Sequence, residues 1–144
     1  MNLSKINFYS ENDFKLEDEA RYASWLENVI TSEGKSLEEI SYIFCDDEYL
    51  LKINMEYLDH DTYTDIITFD YSVGKVLHGE IYISTDRVLE NSESFGVKFD
   101  EELRRVLVHG VLHLSGYKDK TDEEAALMRS KEEEKMKLFH VEQS

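Results

Sequence analysis

The feature that most constrains the fold is a predicted helix over residues 100–114 whose second half is apolar on nearly all sides. Six aliphatic residues fill that half: Val106, Leu107, Val108, Val111, Leu112 and Leu114. Because a helix that is hydrophobic all round is buried, strands and further helices must cover it. The 144-residue chain, 41% of it hydrophobic, is long enough to provide that cover.

The elements predicted around this helix place strands early in the chain and helices late. Periodicity and turn residues predict strands at 3–9, 40–45, 66–71 and 80–84, and helices at 16–32, 47–57, 85–95, 100–114 and about 121–139. We interpret 66–84 as a hairpin and 131–137 as a solvated helix face. This order favours an α+β fold, a small mixed sheet of about four strands covered by helices, and we expect residues 1–144 to form a single domain.

The charge of the chain excludes a protein that binds nucleic acid over its whole surface. Asp and Glu number 32 against 16 Lys and Arg, a formal net charge of −16, whereas phosphate binding depends on Lys and Arg. Contact with RNA or DNA should therefore be local. Residues 101–120 are the best place for it, because four basic residues there outnumber three acidic ones.

The single cysteine and the N-terminal residues bear on the cellular compartment. With only Cys45 the chain forms no intrachain disulfide, which is typical of a reducing compartment, and we expect Cys45 to be buried in a strand. No stretch resembles a signal peptide, and no apolar run approaches the roughly 18 residues that span a bilayer. We therefore expect a cytoplasmic protein with no membrane partner.

The candidate metal ligands lie at the end of the apolar helix, where two histidines are one turn apart. Since successive helical residues are separated by 100°, His109 and His113 project about 40° apart and can share a metal ion. Gly116 can end the helix and turn the chain back, so that Asp119 approaches the two rings. Two histidines, a carboxylate and an open position are typical of a catalytic zinc site. The other histidines are expected on the surface: His60 and His78 in loops, and His140.

Two known families share this outline. The spacing HxxxHxxGxxD is similar to that of metzincin-like peptidases, in which a glutamate general base follows the first histidine, but here Gly110 occupies that position. The run from His109 to Tyr117 resembles, at every fixed position, the HGxLHLxGY signature of the YbeY-type endoribonucleases, the rRNA maturation factors. Further segments that resemble this family are Asn54, Tyr57 and residues 64–69, 79–81 and 122–125.

The resemblance implies a metal-dependent endoribonuclease, specific for single-stranded RNA, that acts in maturation of the 3′ end of 16S rRNA and in ribosome quality control. It implies that His109, His113 and Asp119 carry the catalysis by holding one divalent ion per chain, with zinc expected. Its partners would be single-stranded rRNA and the ribosome or ribosomal proteins. The general base stays unidentified, and either water or the substrate 2′-hydroxyl can be the attacking group.

The chain departs from the family pattern at two positions. Asp119 stands where the family has a histidine, which lowers the net charge of a metal site from about +2 to about +1 and weakens its attraction for a phosphodiester. Leu58 stands where the family has an arginine that would clamp a phosphate. We therefore expect other cations near the site to contact the substrate: Arg105, Lys118 and Lys120. Arg105 is equally well interpreted as a surface residue whose stem covers the core.

Two other functions are compatible with these residues. A zinc metallopeptidase-like hydrolase would need a carboxylate base from elsewhere, for which Glu80 and Glu102 are the candidates, although Glu102 lies about two helical turns from His109. A non-catalytic ribosome-associated module would use the metal only to fix the helix to the loop that follows it.

Overall fold

A four-stranded mixed sheet carries the fold. The structure is a computed structural model that describes residues 5–141, with side chains as far as Phe139, so the first two residues of the predicted first strand and the His140 side chain lie outside it. The strands are β1 (Ile6–Ser10), β2 (Ser36–Cys45), β3 (Ile66–Asp70) and β4 (Val76–Ser84), and the helices are α1 (Glu19–Ser32), α2 (Asp47–Leu58), α3 (Thr85–Phe95), α4 (Phe99–Leu114) and α5 (Asp122–Val141). The strand order is β1-β2-β4-β3, with β1, β2 and β4 parallel and β3 antiparallel to β4. The predicted α+β class and the hairpin are confirmed.

Strands β2 and β4 begin earlier than the sequence predicts. Their first residues include Glu38, Glu39 and Gly79, which have low strand propensity. They are extended nevertheless because β4 lies between β2 and β3 and pairs with both. His78, predicted in a loop, consequently lies in β4, where its Nδ1 is 3.1 Å from Glu38 Oε2.

Helix α4 is buried as predicted. Its six aliphatic side chains are at most 5% exposed and belong to the main core, which lies between one face of the sheet and helices α1, α4 and α5. Two glycines permit this close packing: a Cβ at Gly110 would lie 2.9 Å from Ile81 Cδ1, and a Cβ at Gly79 would lie 3.1 Å from Leu114. The helix therefore lies directly on the β3–β4 hairpin.

The opposite face of the sheet is covered in part by α2. A smaller apolar cluster there consists of Cys45, Leu50, Ile53 and Ile67, with Phe69 and Tyr82 packed against it. Cys45 is buried, as expected, and this burial raises the pKa of its thiol to about 12. A thiol so protonated is a structural side chain rather than a nucleophile.

Helix α5 is not the solvated helix that its charges suggest, and the interpretation of residues 131–137 is wrong in this respect. Its buried side chains follow one another at intervals of four, three and four residues: Met128, Glu132, Lys135 and Phe139. This is the helical period of a packed face, which is hard to recognise because two of its members are charged. Lys135 is buried with a partner, since its Nζ lies 2.8 Å from Glu33 Oε2.

Gly79→Ala should lower the free energy of unfolding by about 1–3 kcal/mol, the usual cost of inserting a methyl group into a filled space. The new Cβ would lie 2.7 Å from the backbone oxygen of Phe69, which cannot move without disturbing β3. Urea denaturation measures the change. Ser94→Ala, at an exposed position of α3, is the control and should change stability by less than about 0.5 kcal/mol. Equal effects of the two substitutions would contradict the packing described.

Candidate metal centre

Three predicted ligands converge at the C-terminal end of α4. The Nε2 atoms of His109 and His113 each lie 3.3 Å from Asp119 Oδ2, and one ligand atom from each of the three residues lies within 4.8 Å of the other two. The two imidazole rings are nearly perpendicular, with centroids 4.5 Å apart. The side chains of His109, His113 and Asp119 are 19%, 28% and 38% exposed. This triad is therefore compact and partly exposed to solvent.

The turn after α4 brings Asp119 to the histidines. Gly116 has a φ of +109°, which a residue with a side chain rarely adopts. Its N–H donates to His113 O, and the N–H of Tyr117 donates to Leu112 O, both at 3.0 Å. These two bonds form the Schellman motif that ends a helix and reverses the chain. The sequence therefore builds the triad locally, from one helix and its C-terminal turn.

Each histidine is oriented by a hydrogen bond at its other ring nitrogen. His113 Nδ1 lies 3.0 Å from the carbonyl oxygen of Tyr117, and His109 Nδ1 lies 2.6 Å from Glu132 Oε2. Because a carbonyl or a carboxylate accepts, Nδ1 carries the proton in both rings, and the lone pair of each neutral imidazole is on Nε2, facing Asp119. Such outer hydrogen bonds are what fixes histidine as a metal ligand in proteins.

Glu132 is a component of the site that the sequence analysis missed. Its other oxygen, Oε1, lies 3.0 Å from Arg105 Nη1, so the buried Glu132 carboxylate links Arg105 to His109. Burial alone would raise the pKa of Glu132, but the hydrogen bonds from His109 and Arg105 outweigh it and lower that pKa. Burial alone would lower the pKa of His109, and Glu132 reverses this shift as well. The helical spacing of Glu132 from Met128 and Phe139 is its one sequence signal, and its charge conceals that signal.

The loop that carries Asp119 is attached to the rest of the protein through Tyr117. The hydroxyl of Tyr117 donates to Glu33 Oε1 at 2.6 Å, and Lys135 holds the other oxygen of the same carboxylate. Burial, and then the hydrogen bond to Glu33, raise the pKa of Tyr117 to about 12. Tyr117 therefore anchors the loop through its side chain, and it orients His113 through its own carbonyl oxygen.

The triad opens into a groove of about 760 Å³, called here the metal groove. Its walls come from α2, β3 and the segment between them, and they include Asn54, Leu58, His60 and Asp65. Asn54 orders that segment, since its Nδ2 donates to Thr62 O at 2.7 Å. His60 is exposed in that segment, as expected, and it also lines the metal groove.

The three predicted substrate cations occupy different environments. Lys120 lines the metal groove, whereas Lys118 is exposed and is not among the described residues that line it. Arg105 is paired with Glu132 and lines a second cavity of about 280 Å³ behind His109. Leu58 lies in the metal groove itself. Of the three cations, Lys120 is therefore the one that lines the metal groove.

The candidate carboxylate bases lie in different parts of the structure. Glu80 lies on the far face of the sheet from α4, beside Tyr71, whose hydroxyl is 3.2 Å from Glu80 Oε1. Glu102 and Asp65 both line the cavity behind His109, and burial raises the pKa of each. Asp65 lines the metal groove as well, so it shares the lining of both cavities with His109 and Asp119.

The fold and the site together define a class, an α+β protein with a cluster of two histidines and one carboxylate of the kind that metal-dependent hydrolases use. The family comparison specifies it further. The chain belongs to the Endoribonuclease YbeY family, whose model matches residues 6–140.

Relatives match over nearly the whole length. Endoribonuclease YbeY of Christiangramia forsetii is 63% identical over 143 residues, 99% of this chain and 100% of that protein. Endoribonuclease YbeY of Flavobacterium psychrophilum is 60% identical over 139 residues, 96% of this chain and 99% of that protein. Among solved structures, the solution structure of TM1509 from Thermotoga maritima matches with a TM-score of 0.68 and 25% identity, and covers 95% of this chain and 90% of that one.

Glu132→Gln should weaken metal binding by about 10- to 100-fold, the usual effect of removing a group that orients a ligand. The amide oxygen still accepts from His109 Nδ1, but the amide lacks the negative charge that strengthens this hydrogen bond and balances Arg105. The measurement is the dissociation constant for zinc, obtained by competition with a chelator. Glu133→Gln, at the exposed neighbouring position, is the matched control. Equal metal affinity of the two variants would show that Glu132 has no part in the site.

Proposed function

We propose that this protein is a metal-dependent endoribonuclease that cleaves single-stranded RNA and acts in maturation of the 3′ end of 16S rRNA and in ribosome quality control. The observation that carries the proposal is the triad, whose ligand atoms lie within 4.8 Å of one another with both Nδ1 atoms already bonded. The names of the YbeY relatives support the reaction type. The whole chain, residues 1–144, would act as a single domain.

His109, His113 and Asp119 would hold one divalent ion, and zinc is the ion proposed. Their donor set fits it, since two imidazole nitrogens and one carboxylate oxygen on a solvent-facing side are the ligands of an open zinc site. Such an ion supplies a Lewis acid beside the scissile phosphate. The positive charge of a bound ion would also be offset in part by Asp119, which sets a modest attraction for the substrate.

The chain's own residues would bind the strand and move the proton. Lys120 would contact a phosphate in the metal groove, and Leu58 and His60 would border the path of the strand. The Asp65 carboxylate is our candidate for the proton acceptor, because it faces the metal groove and its raised pKa makes it a stronger base than an ordinary aspartate. Arg105 would act through Glu132, as a positioning residue, rather than on the substrate.

The competing functions are less well supported by these positions. The position that holds the peptidase base, directly after His109, is Gly110. Of the two other candidates, Glu102 lies about two helical turns from His109, and Glu80 lies on the face of the sheet opposite α4. A purely structural metal would explain neither the metal groove nor the position of Lys120 in its lining. No helix among residues 5–141 is long and apolar enough to cross a membrane. Association with the ribosome and a cytoplasmic location belong to the same proposal.

His113→Ala and Asp119→Ala should each abolish stoichiometric zinc binding and reduce cleavage of a single-stranded RNA by at least about 100-fold, because each removes one of three ligands. Elemental analysis and a gel-based cleavage assay measure the two effects. His78→Ala, at a half-exposed histidine of β4, is the control. Full metal content and full cleavage in either ligand variant would overturn the assignment, and casein hydrolysis lost on Asp119→Ala would favour the peptidase.

Lys120→Ala should reduce the dependence of RNA affinity on salt concentration by about one unit of log K against log salt, the effect of losing one phosphate contact. Lys118→Ala removes the same charge two residues away, but outside the metal groove, and should leave that slope nearly unchanged. Fluorescence anisotropy of a labelled single-stranded RNA at several salt concentrations gives both slopes. A larger effect of Lys118→Ala would contradict the proposed path of the strand.

A further inference from the structure

A second groove lies on the face of the sheet that α4 does not cover. It has a volume of about 470 Å³ and is bordered by α2, β3 and β4. Five of the residues that line it are aromatic: Tyr49, Tyr57, Phe69, Tyr71 and Tyr82. We refer to it as the aromatic groove.

The rings of the aromatic groove remain accessible. Tyr57 is 68% exposed, Tyr71 is 50% exposed and Tyr49 is 37% exposed. Tyr49 and Tyr82 are stacked at 6.5 Å with an angle of 24°, and Phe69 meets Tyr57 and Tyr82 edge-on at 5.8 Å. Scattered surface aromatics are ordinary, but a concave cluster of them is typical of a binding site. Flat rings at these spacings suit a flat, unsaturated ligand.

The charges around the aromatic groove favour a nucleobase over a phosphate. Its charged lining residues are Lys52, Glu56 and Glu80, with a net charge of −1. A phosphate would be repelled, whereas a base with an exocyclic amino group can stack on the rings and donate to a carboxylate. Tyr71 already donates to Glu80 Oε1 at 3.2 Å and orients that carboxylate.

The aromatic groove and the metal groove are the two sides of one thin wall. Along β3, Thr68 and Asp70 line the metal groove, whereas Phe69 and, directly after the strand, Tyr71 line the aromatic groove. At the end of α2, Leu58 lines the metal groove and Tyr57 lines the aromatic groove. Strand β3 is at the edge of the described sheet, so an extended polymer can pass over it from one groove to the other.

We propose that the aromatic groove binds a nucleobase that bears an exocyclic amino group, from the same RNA strand whose scissile phosphate lies at the metal centre. The inference rests on the proposed function, because the continuity of the two grooves matters only for a polymeric substrate. It adds a subsite that selects among bases at a distance from the cleaved bond. Adenine, cytosine and guanine fit it, and uracil, which has no amino group, does not.

The test compares Tyr57→Ala with Tyr9→Ala. Tyr9 is 53% exposed on β1, at the opposite edge of the sheet, and serves as the matched control. Fluorescence anisotropy with labelled oligo(A), oligo(C) and oligo(U), at one salt concentration, gives the affinities. Loss of one stacked base should raise the dissociation constant of Tyr57→Ala for oligo(A) by about 5- to 150-fold, with zinc content unchanged. Tyr57→Leu, which keeps apolar bulk without a ring, replaces it if the alanine variant melts early.

A second variant tests the base preference. The double substitution Glu56→Gln and Glu80→Gln should reduce the preference for oligo(A) and oligo(C) over oligo(U), since an amide also donates and can accommodate uracil. Equal oligo(A) affinity of the wild type, Tyr57→Ala and Tyr57→Leu overturns the proposal, as does a wild type that binds oligo(U) as tightly as oligo(A). Failure of the proposed function is distinguishable: a wild type that binds RNA through Tyr57 but never cleaves it supports the aromatic groove and rejects the nuclease.

Discussion

The burial of α4 is the constraint on which the rest of the structure depends. Its apolar residues must be covered, and the glycines at 79 and 110 let the helix lie directly on the β3–β4 hairpin. The helix then ends at the margin of the core, so His109 and His113 emerge where α4, β3 and the following turn meet. Imidazoles at such a place are only partly hydrated and need fixed partners, which the structure provides.

Those partners form a chain of contacts with Glu132 at its buried point. The chain joins Arg105 to Glu132, Glu132 to His109 and His109 to Asp119, with contacts between 2.6 and 3.3 Å. The ionised Glu132 carboxylate, paired with Arg105, accepts from His109 Nδ1, which keeps the proton of the neutral imidazole on Nδ1 and leaves the Nε2 lone pair for a ligand. Glu132 is the most buried of the four side chains, at 7% exposed, and Asp119 is the most exposed, at 38%.

Local sequence patterns were enough to predict the triad, because the triad is built from residues close together in the chain. The spacing of His109 and His113 and the turn at Gly116 bring the triad together within eleven residues, so sequence reasoning could find it. Glu132 could not be found in this way, because whether a charged residue is buried depends on a partner in another element. The early start of β4 and the face of Glu80 likewise depend on pairing with β2 and β3, not on the propensities of residues 76–80.

The central claim is that α4 and its C-terminal turn present two Nε2 atoms and one carboxylate to a single metal ion. X-ray absorption spectroscopy of the purified wild-type protein, combined with elemental analysis, tests this claim most directly. The account predicts one zinc per chain, with two imidazole nitrogens at about 2.0–2.1 Å, carboxylate or water oxygen at about 2.0–2.2 Å, and no sulfur. Substoichiometric metal, or a ligand shell without two imidazoles, would contradict it.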